Sequence, residues 1–145
     1  AAELPNRRFP LILNTGRILY HWHGGTITRR TAGLLAKAPE LEILIHPSDA
    51  ARVGIEDGEW TRVRSRRGEL EGRARLTDSV LDGAIFVPFV KLAKHAANFL
   101  TNAALDPASK IPEYKVCAVR LEKIGVERRL GRSAAGVWRR AKGKG

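Results

Sequence analysis

The sequence of 145 residues contains one cysteine, Cys117, and no methionine. A single thiol rules out an intrachain disulfide and any cage of several cysteines around a metal. In "YKVCAVRL" its apolar neighbours suit a buried structural thiol. No apolar run approaches the roughly 18 residues of a membrane span, and "AAELPNRR" lacks the apolar segment of a secretory signal. The expectation is a soluble, cytoplasmic chain with no membrane span. Ser48, Ser65, Ser79, Ser109 and Ser133 all lack the Gly-x-Ser-x-Gly setting of an esterase-type nucleophile. Of the histidines His21, His23, His46 and His95, only the first two are neighbours, short of the three or four ligands of a zinc site. Gly24-Gly25 fits neither the phosphate loop nor the dinucleotide fingerprint, since the lysine and the strand-glycine-helix context are missing. These absences point away from catalysis by this chain alone.

What is present suits one globular unit: the length is that of a single domain, and 43% hydrophobic residues can form one core. The net charge of +11 is uneven. Between Gly125 and Gly145 seven Lys or Arg face Glu127 alone, so this tail carries more than half of the imbalance. It reads as a solvated basic extension, dispensable for folding, in which Val137 and Trp138 are the only apolar pair able to dock. The three Trp and two Tyr do not interleave with the basic residues as a stacking platform for single-stranded nucleic acid requires, so that partner class is disfavoured.

The hydrophobic pattern predicts six short strands. "FPLILNTG" is an apolar run ended by Asn14, Thr15 and Gly16, and "LEILIHP" is the next strand. Alternation through "EWTRVRSRRGELEGRARLT" predicts a hairpin turning at Arg67-Gly68, and "GAIFVPFV" and "VCAVRLEKI" complete the set. Two brief helices are expected: one capped by Thr28 in "TRRTAGLLAKAPE", one capped by Ser48 and stopped by Gly54. Many short strands with few helices predict a closed or nearly closed β-barrel.

The densest chemistry lies in "NTGRILYHWHGGTITRR", residues 14–30. Arg17 follows Thr15-Gly16 at a strand end, where backbone N–H groups can approach an oxyanion and a guanidinium can bind phosphate through two donors. Thr26, Thr28 and Arg29 stand at the expected start of a helix, whose free N–H donors attract anions. Two anion-binding devices would thus flank His21 and His23. The plainer alternative is a capping Thr28, solvated arginines and a hydrogen-bonded core His21.

Taken in order, "FPLILNTGRILYHWHGGTITRRTAGL", "IHPSDAARVGIEDGEWTRVRSRRGELEGRARLTD", "GAIFVPF" and "AANFLTNAALDPASKIPEYKVCAVRLE" resemble the C-terminal molybdopterin-dinucleotide-binding domain of molybdenum or tungsten formate dehydrogenases. The wider family includes dimethyl sulfoxide reductase and nitrate reductase. The resemblance implies a six-stranded double-psi β-barrel over residues 9–124, preceded by a linker at 1–8 and followed by the basic tail at 125–145. It implies a bis(molybdopterin guanine dinucleotide) cofactor carrying molybdenum or tungsten. Thr15, Gly16 and Arg17 would lie near a pyrophosphate or pterin, with His21, His23, Thr26, Thr28 and Arg29 along the pterin and phosphates. Phe89, Asn98, Tyr114 and Lys115 match later motifs that approach the second pterin. Val90 and Lys91 depart from the family's usual His-Trp. A whole enzyme of this kind needs cluster cysteines, a metal-ligating Cys or selenocysteine, and a catalytic His and Arg. The implied partners are therefore the catalytic and iron-sulfur domains, in cis or in trans, and the chain alone is expected to be inactive. The rival reading is a cofactor-free barrel serving as a protein-interaction module, distinguished by whether pterin or guanine nucleotide copurifies.

Overall fold

The computed structural model describes residues 2–90, 96–111, 113 and 116–125. Six strands run in chain order as β1 (Leu11–Gly16), β2 (Glu42–Ile45), β3 (Trp60–Arg64), β4 (Glu69–Leu76), β5 (Ala84–Pro88) and β6 (Val116–Lys123). They close into a barrel in the order β1-β5-β2-β4-β3-β6. The pairs β1/β5 and β2/β4 are parallel and the other four are antiparallel. This is the double-psi β-barrel implied by the resemblance, and its strands coincide with the six apolar runs.

Alternation explains the closure. In β1 the side chains of Leu11, Leu13 and Thr15 turn inward while Asn14 is exposed, and β3, β4 and β5 repeat the period of two. Leu13, Ile43, Ile45, Val63, Leu70 and Ile85 are fully buried in one core. Each contributes about 1.5–3 kcal/mol relative to exposure. Closing the barrel leaves no free edge.

Three local expectations are corrected. The helix α2 (Pro47–Val53) is capped by His46, whose Nδ1 accepts from the Ser48 N–H, rather than by Ser48. Proline at the first helical position lets the histidine, one residue earlier, take the capping site. Thr28 opens a three-residue 3-10 turn, Thr28–Arg30, entered from Ile27 without a side-chain cap, and α1 (Ala32–Lys37) follows it. The Thr28 hydroxyl is drawn elsewhere, as described below. The β3/β4 turn is centred on Arg66-Arg67, closed by Ser65 N–H donating to the Gly68 carbonyl at 2.9 Å. As expected, α2 stops at Gly54.

The segment read as a linker is tied to the barrel. Glu3 pairs with Arg66 and Arg67 and accepts from the Ala118 N–H of β6 at 2.8 Å. Those contacts, led by the Arg67 hydrogen bond, lower its pKa. Residues 126–145, and with them Val137 and Trp138, lie outside the described residues.

A clasp holds α2 to the start of β5. Asp49, 3% exposed, accepts from the Gly83 N–H at 2.7 Å and pairs with Arg52. Arg52 also reaches Asp82 through both oxygens, at 2.8 and 3.0 Å. Hydrogen bonds from Arg52 and then Ser48 pull the Asp82 carboxyl down to about 2. Asp49→Ala would strand the Gly83 N–H, and urea denaturation is expected to show a loss of about 2 kcal/mol. Arg52→Ala should cost much less, because that side chain is 58% exposed. Equal losses would mean that the surface ion pair, rather than the buried amide bond, carries the clasp.

Candidate functional site

Parallel pairing of β1 with β5 sets Thr15 beside Val87 and Gly16 beside Pro88, so both strands deliver their C-terminal ends to one place. The Phe89 N–H donates to the Gly16 carbonyl at 3.0 Å, extending the pairing one residue further. From here residues 17–31 form a loop above the barrel end, and its conformation rests on one buried histidine.

His21 is 2% exposed. Its Nε2 lies 3.1 Å from the Ala38 carbonyl oxygen, which can only accept, so Nε2 carries the proton and donates. Nδ1 lies 3.1 Å from the Thr28 hydroxyl, which also accepts from the Trp22 N–H at 3.2 Å. The arrangement that satisfies every group has the Thr28 hydroxyl donating to Nδ1. His21 thus ties the loop's first half to its second half and to the end of α1. Both ring nitrogens and the Thr28 hydroxyl are used in shaping the loop. Thr28 was expected to present a helix start to an anion; in the structure its hydroxyl is engaged with His21 and the Trp22 N–H.

Between Trp22 and Arg29 the chain reverses tightly. Gly25 N–H donates to the Trp22 carbonyl at 2.9 Å, and the Gly25 carbonyl accepts from both the backbone N–H and Nε of Arg29. Gly25 has φ of 76°, and a Cβ there would sit 2.6 Å from Val90 Cγ2. His23 has φ of 48°, unusual for a residue with a side chain. Its ring meets Trp22 edge to face, with centroids 4.7 Å apart. Exposed Arg17 reaches over both, its guanidinium 5.7 Å from the Trp22 ring centroid and Nη2 at 3.4 Å from His23 Nε2.

Beneath this turn lies a cleft of about 520 Å³, walled by Thr15, His23, Gly24, Phe89, Asn98 and the Thr101-Asn102 pair. These residues come from the end of β1, the loop, the residue after β5, and the 3-10 turn Ala97–Phe99 with its continuation. Thr15, His23, Phe89 and Asn98, which the resemblance singled out across 84 positions of sequence, are therefore brought together. Arg17 is not among the residues that wall the cleft; it lies beside His23, which is. Gly16 is packed under the Phe86 ring, where a Cβ would fall 2.7 Å from Cε2. Thr26 is exposed, and Arg29 is turned back onto Gly25. Tyr114 and Lys115 lie outside the described residues.

Gly24, Thr101 and Asn102 were not singled out as site residues, although all three belong to the motifs quoted above. The Asn102 amide donates to the Val116 carbonyl and to Glu113, and its oxygen accepts from the Ala104 N–H, so it fixes one wall of the cleft to the start of β6. Gly24 is open: a Cβ built on it meets no atom within 4 Å. On another side of the loop an apolar groove of about 270 Å³ runs between Ile18, Leu19, Tyr20, Leu44 and Phe86. Cys117 is not at either place; it is buried, its Sγ bonded to the Leu100 carbonyl, and burial pushes the thiol up to about 11. Among the described residues no three His, Cys, Asp or Glu side chains converge as a metal cage.

A family model described as the molydopterin dinucleotide binding domain matches residues 11–118. The F420-dependent formate dehydrogenase subunit alpha of Methanocaldococcus jannaschii is 48% identical over 123 residues, covering 85% of this chain and 18% of the relative. A nitrate reductase of Symbiobacterium thermophilum is 44% identical over 125 residues, covering 84% of this chain and 17% of the relative. Among solved structures, acetylene hydratase from Pelobacter acetylenicus superposes with a TM-score of 0.67 at 19% identity, over 80% of this chain and 18% of that one. The chain thus spans less than a fifth of the length of these relatives.

The two adjacent glycines should respond differently to alanine. Gly25→Ala forces a side chain into left-handed backbone against Val90, and thermal denaturation is expected to show clear destabilisation. Gly24→Ala should leave the melting temperature nearly unchanged while narrowing the cleft. A large drop for Gly24→Ala would contradict an open wall at that position.

Proposed function

The chain belongs to the molydopterin dinucleotide binding domain family, and from that premise we propose that it forms the cofactor-gripping part of a formate dehydrogenase-type oxidoreductase. Its group would be bis(molybdopterin guanine dinucleotide) carrying molybdenum or tungsten, held jointly with the catalytic and iron-sulfur domains of the same enzyme. Those domains would come in cis or in trans, in the cytoplasm. The similarity of most of this chain to less than a fifth of formate dehydrogenase alpha subunits supports the division of labour.

The observation that carries the reading is the cleft below the 17–31 loop. Two regions far apart in sequence, residues 15–24 and 89–102, meet there, and they offer an imidazole, an exposed amide and an unobstructed glycine backbone. This donor set fits a pterin dinucleotide, whose heterocycle edges need hydrogen-bond partners and whose pyrophosphate needs donors and positive charge. Gly24 leaves its stretch of the wall without a side chain, so a ligand could approach the backbone there. Arg17, beside His23, would supply charge and a planar fork for a phosphate oxygen, and Asn98, making no side-chain hydrogen bond among the described residues, is available to a pterin edge. His21 and Thr28 act at one remove by holding His23 and Gly24 in place. When bound, the group supplies the two-electron redox chemistry and the metal. The chain's own residues bind and orient it and cover one side against water.

Arg17→Ala removes a charge-assisted hydrogen bond worth about 1.5–3 kcal/mol, roughly a ten- to hundredfold loss of affinity, with the fold intact. Arg17→Lys keeps the charge without the fork and should recover part of the binding. The check is guanine nucleotide and metal per assembled enzyme, with circular dichroism as folding control. Full occupancy in Arg17→Ala, together with loss in Arg29→Ala, would move the phosphate grip to the other side of the turn.

A further inference from the structure

A second cationic site lies at the other end of β1. Phe9 is 4% exposed, and three guanidiniums from distant parts of the chain converge on its ring: Arg66 at 5.0 Å from the centroid, Arg8 at 5.5 Å and Arg120 at 5.7 Å. With Arg64 and the small residues Asn6 and Ser65 they wall a concavity of about 430 Å³ whose lining contains no carboxylate. Thr15 lies six positions beyond Phe9, roughly 20 Å of extended chain, so this is not the cleft described above.

The charges around it are incompletely matched. Arg64 and Arg120 sit directly opposite each other across the β3/β6 ladder, an arrangement that destabilises a sheet. Of the neighbouring carboxylates, Glu71 pairs with Arg62 at 2.6 Å, while Glu69 and Glu122 are shared between Arg62, at 3.6 and 3.9 Å, and Arg64. Neither ion pair of Arg64 is closer than 3.9 Å. Arg120 takes Glu122 at 2.7 Å, Arg66 takes Glu3 at 2.9 Å, and Arg8 has no ion pair among the described residues. Aromatic packing therefore gathers guanidiniums that electrostatics alone would spread apart.

We propose that this arginine cluster around Phe9 is a binding site for a compact polyvalent oxyanion of the phosphate class, separate from the cofactor cleft. Compactness is argued from placement: three guanidiniums lie within 5.7 Å of one ring centroid, and with Arg64 they wall a single concavity of about 430 Å³. An extended acidic segment would need them in a row. Arginine forks match tetrahedral oxyanions, and an anion here would offset the Arg64/Arg120 repulsion.

The test is a titration of the isotopically labelled 145-residue chain with inorganic pyrophosphate, followed by NMR at backbone amides and arginine Nε–H groups. Saturable one-to-one shifts are expected at Phe9, Ser65, Arg66 and Arg120, weakening with added salt. Arg64→Gln should reduce affinity by about tenfold while leaving the melting temperature unchanged or raised, which a purely structural arginine would not do. Arg8→Gln, at a side chain without an ion pair, should reduce affinity several-fold and serves if Arg64→Gln fails to fold. Shifts centred on His23, Gly24 and Asn98, non-saturating shifts over the whole basic surface, or unchanged affinity in the variants would overturn the site. Tighter binding of a short oligoglutamate than of pyrophosphate would overturn the compact-anion assignment.

Discussion

The hydrogen bonds of His21 are the constraint on which the candidate site depends. A fifteen-residue connection rich in polar groups has many conformations, and ordering it costs about 1–2 kcal/mol of backbone entropy per residue. The loop gains little core: Leu19, Trp22 and Ile27 are largely exposed. One buried imidazole hydrogen-bonded at both nitrogens, to Thr28 within the loop and to Ala38 beyond it, closes the loop onto itself and onto the end of α1. His23 is then held in left-handed backbone, an uncommon conformation that is maintained where the surroundings dictate it. The residues that shape the loop and those that face the cleft are neighbours in sequence but have separate tasks.

The barrel makes this arrangement possible. Two parallel pairs within a closed sheet require crossovers, and the connection from β1 to β2 carries the loop and α1. Parallel pairing brings the ends of β1 and β5 together, so Thr15 and Phe89 come to line one cleft. At the opposite end of β1 the same rigidity holds like charges in close register on β3 and β6. Burial of residues such as Leu13, Ile43 and Ile85 supplies the stability that allows both ends to carry unfavourable groups.

The strands were legible because alternation has a period of two and each run ends in recognisable turn residues. Much of the cleft was legible through motif order, although nothing in the spacing of Thr15, His23, Phe89 and Asn98 says that they meet. The helix caps were misread for a physical reason. Thr28 and Ser48 are good caps in isolation, but His21, seven residues upstream, competes for the first hydroxyl, and Pro47 hands the second position to His46. That His21 would also find a carbonyl seventeen residues away could not be read locally. The same holds for the arginines around Phe9, which come from positions 8, 64, 66 and 120 and look like ordinary surface charge in the sequence.

The central claim is that the cleft under the His21-braced loop, rather than the apolar groove along Leu44 and Phe86, receives the dinucleotide. The direct measurement is a cryo-electron microscopy map of the assembled, cofactor-loaded enzyme containing this chain. The account predicts continuous density for one pterin dinucleotide between Thr15, His23-Gly24 and Asn98, with Arg17 at a phosphate and His21 still bonded to Thr28 and Ala38. Density in the groove of Ile18, Leu19 and Tyr20, with the cleft filled by protein, would contradict it.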